Sequence, residues 1–155
     1  MTRRRRRARS AVLAFAIGAL IVATACSGAV QPADLSPGEA CAYCRMTVSN
    51  PRLAAQLVGP GEEPRFFDDI GCLAGALRRE PRPDLTAFVA DHRTGAWVPA
   101  RSAVYTRVER LETPMASHLI AHADEASRRA DPDAANGVPV TYADVFGASE
   151  DGRDR

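Results

Sequence analysis

The head of the chain limits how much of it can fold. Thr2-Arg3-Arg4-Arg5-Arg6-Arg7-Ala8-Arg9 is strongly basic, and Ala11 to Val22 is apolar with one break at Gly18. A membrane-spanning helix needs about 20 apolar residues, so this run is short for a span. A basic head, a short apolar run and the small residues Ala23-Thr24-Ala25 read as an export signal over residues 1–25. No large apolar pair closely follows the arginines, which favours general secretion over the twin-arginine route. What remains fits one small domain, or two very small units sharing a core.

Cys26 stands directly after the small residues, as in a bacterial lipobox, although Ala23 occupies a place where leucine is usual. The expectation is cleavage before Cys26 and lipidation of its sulfur. The protein would then be exported and lipid-anchored, at the outer face of the cell membrane or a periplasmic membrane face. A plain signal cut near Ala25 is the alternative. It would leave a free N-terminal thiol outside the cytoplasm, a chemical liability. The formal charge of +1 includes the arginines of the signal, so the mature part is mildly acidic. Nothing in it suggests binding to nucleic acid.

Residues 26–40 hold prolines, glycine and few apolar positions, and read as a lipid-anchored linker. The folded domain is expected over residues 41–147, with 148–155 a polar, flexible tail. Met46 to Ser49 and Leu53 to Val58 pattern as short strands around the turn signal Asn50-Pro51. Gly59 to Pro64 is a loop, and Arg65-Phe66-Phe67 a brief strand. Asp68-Asp69 then cap a helix over Ile70 to Arg79, with Ile70, Leu73, Ala74 and Leu77 at i, i+3, i+4 and i+7. Pro81 ends it.

A second half repeats the scheme from Thr86. Strands are expected at Thr86 to Asp91, from Trp97, and at Ala103 to Val108. A helix should open at Met115 behind Pro114 and run to Ala130. Val138 to Tyr142 is a last strand, and Ala143 to Phe146 a turn or short helix. The fold class is α+β, two small strand-strand-helix-strand units packed together.

Three cysteines remain after Cys26, namely Cys41, Cys44 and Cys72. Three cannot all pair within one chain, so an exported protein carries a reactive or metal-bound sulfur. Met46 lies two residues beyond Cys44. On an extended segment i and i+2 face the same side, so Cys44 and Met46 present a thiolate and a thioether to one ion. Cu(I) is soft and prefers those donors, whereas zinc sites rarely use a thioether. Cys41 adds a second thiolate if the chain turns at Ala42-Tyr43.

Four blocks follow in order: C-A-Y-C-R-M-T-V-S-N-P-R-L-A-A-Q-L-V, R-F-F-D-D-I-G-C-L, D-H-R-T-G-A-W-V-P-A-R-S-A-V-Y and T-P-M-A-S-H-L-I-A-H. Together they resemble the NosL family of copper-binding lipoproteins, accessory factors of nitrous oxide reductase. The resemblance implies a fold of two ββαβ-type units and no enzymatic activity. It implies Cu(I) held by Cys44 and Met46, with Met115 matching the methionine of the family's T-P-M block. It implies copper delivery to the reductase or to its membrane assembly machinery. Two positions depart from the family pattern, where glycine is usual: Arg45 between Cys44 and Met46, and Ala116 after Met115. Arg45 also places a cation beside Cys44, which opposes the charge of an incoming Cu(I).

Met115, His118 and His122 would share one face of the expected helix and could close over the metal. The bland reading is a partly buried stripe with ordinary histidines. His92 reads as a solvated turn residue, Cys72 as a small buried apolar residue, Asp68 and Asp69 as helix caps, and Trp97 as core. Two other functions use the same cysteines. Cys41 and Cys44 would form a thiol–disulfide oxidoreductase if they opened a helix, but the β-formers after Cys44 argue otherwise. A structural zinc site from Cys41, Cys44, Cys72 and a histidine lacks the usual second paired motif.

Overall fold

The computed structural model describes residues 29–147. The signal, the lipidation expected at Cys26 and the tail from 148 lie outside the described residues. Two units share one connectivity. The first runs β1 (Ala55–Val58), β2 (Arg65–Phe67), α1 (Ile70–Arg79) and β3 (Thr86–Ala90), and β4 (Trp97–Pro99) adds outside β3. The second runs β5 (Val104–Arg107), β6 (Leu119–His122), α2 (Glu125–Arg129) and β7 (Val138–Val140), closed by α3 (Tyr142–Phe146). In each unit the first strand is central, with the second and third antiparallel on either side. The α+β expectation of two strand-strand-helix-strand units holds. The boundary lies after β4, because β3 pairs with β1 and belongs to the first sheet.

The units share a core. Phe67, Ile70, Leu73 and Val89 of the first pack with Tyr105, Leu119, Ala121 and Val145 of the second. The two sheets also touch where the chain leaves β3, through a parallel bridge of Asp91 with Ala121 of β6 and a bond from His92 N–H to the Ala121 carbonyl at 2.8 Å. The buried Asp91 carboxylate rivets this seam. It accepts the N–H of Thr94 and Ala123 and the Ser127 hydroxyl, at 2.8, 2.8 and 2.7 Å. Burial works to raise its pKa, but these donors outweigh burial and hold it well below the usual carboxylate range.

Helix α1 forms where the apolar spacing placed it. Ile70, Leu73 and Ala74 are buried, Leu77 half-buried, and Arg78 and Arg79 lie in the last turn, where cations suit the helix dipole. Asp69 is its cap, accepting the Cys72 N–H at 2.8 Å. Asp68 does not cap. It accepts both the N–H and the hydroxyl of Ser49, at 2.7 and 3.1 Å.

Two elements differ from expectation. Met46 to Ser49 is no strand: a single bridge joins Thr47 to Ala40, because Arg45 takes φ 70° and turns the chain. The helix over Met115 to Ala130 is absent too. Thr113 to Ala116 is a turn closed by Ala116 N–H on the Thr113 carbonyl at 2.9 Å, with Pro114 at its second position. Leu119 to His122 is β6, buried at every residue and paired along β5. The helical spacing of Met115, His118 and His122 was coincidental, and strand pairing overrode it. The helix starts only at Asp124, whose carboxylate caps Ser127 at 2.7 Å. Among the described residues no helix is long and apolar enough to cross a membrane. The stretch before the domain is pinned at Ala33, which exchanges two hydrogen bonds with the buried Gln56 side chain, at 2.8 and 3.0 Å.

Candidate metal centre

The Cys41–Met46 segment is a closed turn. Arg45 N–H donates to the Cys41 carbonyl at 2.9 Å, and Cys41 N–H to the Met46 carbonyl at 2.7 Å. Ala42 N–H docks the turn onto β2 through the Phe66 carbonyl at 2.8 Å. Closing so short a loop needs a left-handed residue, and Arg45 supplies it. Cys44 and Met46 are therefore not i and i+2 on an extended strand. Cys44 is half-buried, while Met46 is 63 % exposed.

The third sulfur comes from Cys72, the third residue of α1. The sulfurs of Cys41, Cys44 and Cys72 lie within 4.8 Å of one another. Cys41 and Cys72 are fully buried, and all three are free thiols. Their protons are unequal. Burial acts to raise Cys41, but N–H donors at Cys44, Asp68 and Tyr43 together draw it below the ordinary thiol range. Burial, then the neighbouring Cys41 and Asp69, push Cys72 far above that range. Cys41 thus takes up negative charge more readily than Cys72. A soft cation replaces the missing protons, and three convergent thiolates at this spacing can hold one.

Two glycines of α1 let two loops close on the helix. A Cβ on Gly75 would lie 2.7 Å from Cζ of Tyr43, within the cysteine turn. A Cβ on Gly71 would lie 2.7 Å from Cβ of Ser117, within the Thr113–His118 loop. The second loop is held further by Met115 N–H on Asp69 Oδ2 at 3.0 Å. It carries Met115 at 44 % exposure. Arg79 stacks over the Tyr43 ring at 4.5 Å. Arg45, Arg65, Arg79 and Arg82 line a cleft of about 360 Å³ beside the turn.

The histidines are not with the sulfurs. His118 engages its own loop, Nδ1 lying 2.9 Å from the Leu111 carbonyl. His122 is fully buried and groups with His92 and Asp131. His92, expected in solvent, is buried because its N–H joins the seam between the sheets. Trp97 is half-buried, its ring centroid 6.5 Å from that of Phe66. Cys41 and Cys44 sit on a turn and not at a helix start, as the β-forming residues after them suggested. Cys72 was expected first as a small buried apolar residue and only in the zinc alternative as a ligand; it is buried, and its sulfur also joins the cluster.

The model of the NosL family matches residues 32–148, which takes in both units, the cysteine turn and the T-P-M loop. The chain belongs to the NosL family. No curated protein and no solved structure matches it. Against the NosL pattern, the two departures acquire a physical meaning. Arg45 and Ala116, where the resemblance led one to expect glycine, both have positive φ, 70° and 51°. Glycine reaches that region without steric cost, and other residues are strained there.

Proposed function

We propose that this NosL-family protein is a copper chaperone. It holds Cu(I) outside the cytoplasm and delivers it for maturation of the copper centres of nitrous oxide reductase, directly or through membrane assembly machinery. The convergence of Cys41, Cys44 and Cys72 carries the reading. Two of the sulfurs are sealed, so the ion is retained. The third, on Cys44, is only half-buried, so a partner's sulfur or imidazole can enter there and exchange ligands one at a time. Met46 and Met115 are exposed thioethers on the two loops that flank α1, suited to catch the ion or pass it on. Cys26 would carry the lipid that keeps the domain at the membrane. No substrate bond is made or broken, so the protein is not an enzyme.

An anaerobic Cu(I) titration against a chromophoric chelator tests this. Wild type should compete, and Cys44→Ser and Cys41→Ser should lose most of the affinity. Met46→Leu keeps size and removes sulfur, so it reads the thioether alone. A wild type unable to compete sinks the copper reading. A second reading, structural zinc on the same three thiolates, is favoured by the burial of Cys41 and Cys72. Zinc retained stoichiometrically through purification would establish it in place of copper.

A further inference from the structure

The second group of donors holds no sulfur. His92 follows β3, His122 ends β6, and Asp131 precedes a turn of 3₁₀ helix at Pro132–Ala134. The seam between the sheets brings them together, because His92 N–H bonds the carbonyl of Ala121, the residue before His122. His92 Nδ1 lies 2.7 Å from Asp131 Oδ2, and His122 Nε2 lies 2.9 Å from the same oxygen. The three donor atoms are within 4.8 Å of one another, and all three residues are buried. From this geometry we infer a second metal site, taking a borderline divalent cation such as Zn(II) on His92, His122 and Asp131.

Three observations support it. First, the spacing is close to a coordination sphere. Zn–N and Zn–O bonds of about 2.0–2.2 Å at tetrahedral angles put ligand atoms about 3.3 Å apart. The two N–O separations, 2.7 and 2.9 Å, need only a small opening. Second, both imidazoles converge on a single oxygen, Asp131 Oδ2. A cation between the three groups replaces two N–H protons by one centre bound to all of them. Third, a carboxylate beside two imidazoles, with no sulfur, suits Zn(II) or Cu(II) better than Cu(I). The remaining Asp131 oxygen is held by Asp133 N–H at 3.0 Å, so the carboxylate is already oriented. His92 lies at the rim with 8 % exposure, leaving an edge at which water completes the sphere. This site shares no ligand with the cysteine cluster and does not depend on the copper reading.

Anaerobic titration of the purified, reduced, metal-free protein with Co(II), then Zn(II), tests it. Thiolate ligation gives Co(II) an intense near-ultraviolet charge-transfer band that nitrogen and oxygen donors lack, so the two clusters are told apart in one spectrum. The expected result is one Co(II) equivalent with visible ligand-field bands and no thiolate band, displaced by Zn(II). That component should weaken about tenfold or more in both His92→Gln and Asp131→Asn, with circular dichroism reporting the fold. His92→Gln lies at the rim and reads the site even if Asp131→Asn unfolds. Co(II) bound only with thiolate bands in wild type overturns the inference. So does a sulfur-free component that survives at full strength in a folded variant.

Discussion

Asp69 Oδ2 accepts the backbone N–H of Met115 at 3.0 Å, across 46 residues of sequence. The other oxygen of the same carboxylate accepts the N–H of Cys72. One buried side chain therefore ties the start of α1, which carries the third sulfur, to the loop carrying an exposed thioether. Asp69→Asn keeps one acceptor and turns an N–H₂ toward one of the two donors. The expected loss is about 1–3 kcal/mol, read as a lower urea midpoint at unchanged slope. An unaltered midpoint would show that the tether is not made in solution.

The glycine pair of α1 gives a second test. In an exposed helix Gly→Ala gains about 1 kcal/mol. Here Gly71→Ala should destabilise, because its Cβ would meet the Cβ of Ser117 at 2.7 Å, an atom that cannot move without its backbone. Gly75→Ala meets the far end of the Tyr43 ring, which can swing away, so its cost should be smaller. Thermal midpoints of the two variants should rank in that order, and equal gains in both would contradict the packing.

Arg45→Gly and Ala116→Gly should each stabilise modestly. A left-handed non-glycine residue costs about 1–2 kcal/mol, partly offset by the backbone freedom glycine adds to the unfolded chain, about 0.5–1 kcal/mol. The net gain is below about 1.5 kcal/mol per site by that difference. Arg45→Gly also removes the cation beside Cys44, so Cu(I) affinity should rise or hold. A fall in denaturation midpoint would mean that Arg45 makes a contact that outweighs its backbone strain.

Acid sensitivity follows from Asp91. Its folded pKa lies below the ordinary 3.8, so the stability it contributes is present above pH 4 or so and is lost as pH falls through the folded value. Urea midpoints should be flat from neutrality to about pH 5 and drop below that. Asp91→Asn should be destabilised at neutral pH and show a shallower acid limb. An acid limb as steep as in wild type would place the acid sensitivity elsewhere.

Thiol accessibility checks the sulfur cluster directly. A bulky alkylating reagent should modify Cys44 in the native protein, and Cys41 and Cys72 only after denaturation, as mapped by peptide mass. Native-state labelling of Cys72 would be incompatible with its burial beneath the turn.

Much of the fold was legible in the sequence, because it rests on local physics. The spacing of Ile70, Leu73, Ala74 and Leu77 behind an aspartate cap defined α1 to the residue, alternation marked β3, and short β-rich runs marked β1 and β5. The reach of pattern ended at Leu119 to His122. Those residues read equally as one face of a helix, and only pairing with β5 decided the matter. The site divided in the same way. Cys41, Cys44 and Met46 announced soft-metal chemistry by adjacency, and the odd thiol count required a third role for sulfur. That Cys72 is the third sulfur, that Met115 hangs from the Asp69 carboxylate, and that His92 and His122 meet on Asp131 were settled by tertiary structure alone. Each depends on a contact between residues tens of positions apart, such as Asp69 with Met115 and His92 with Asp131, through hairpin and sheet pairings whose register no local spacing encodes.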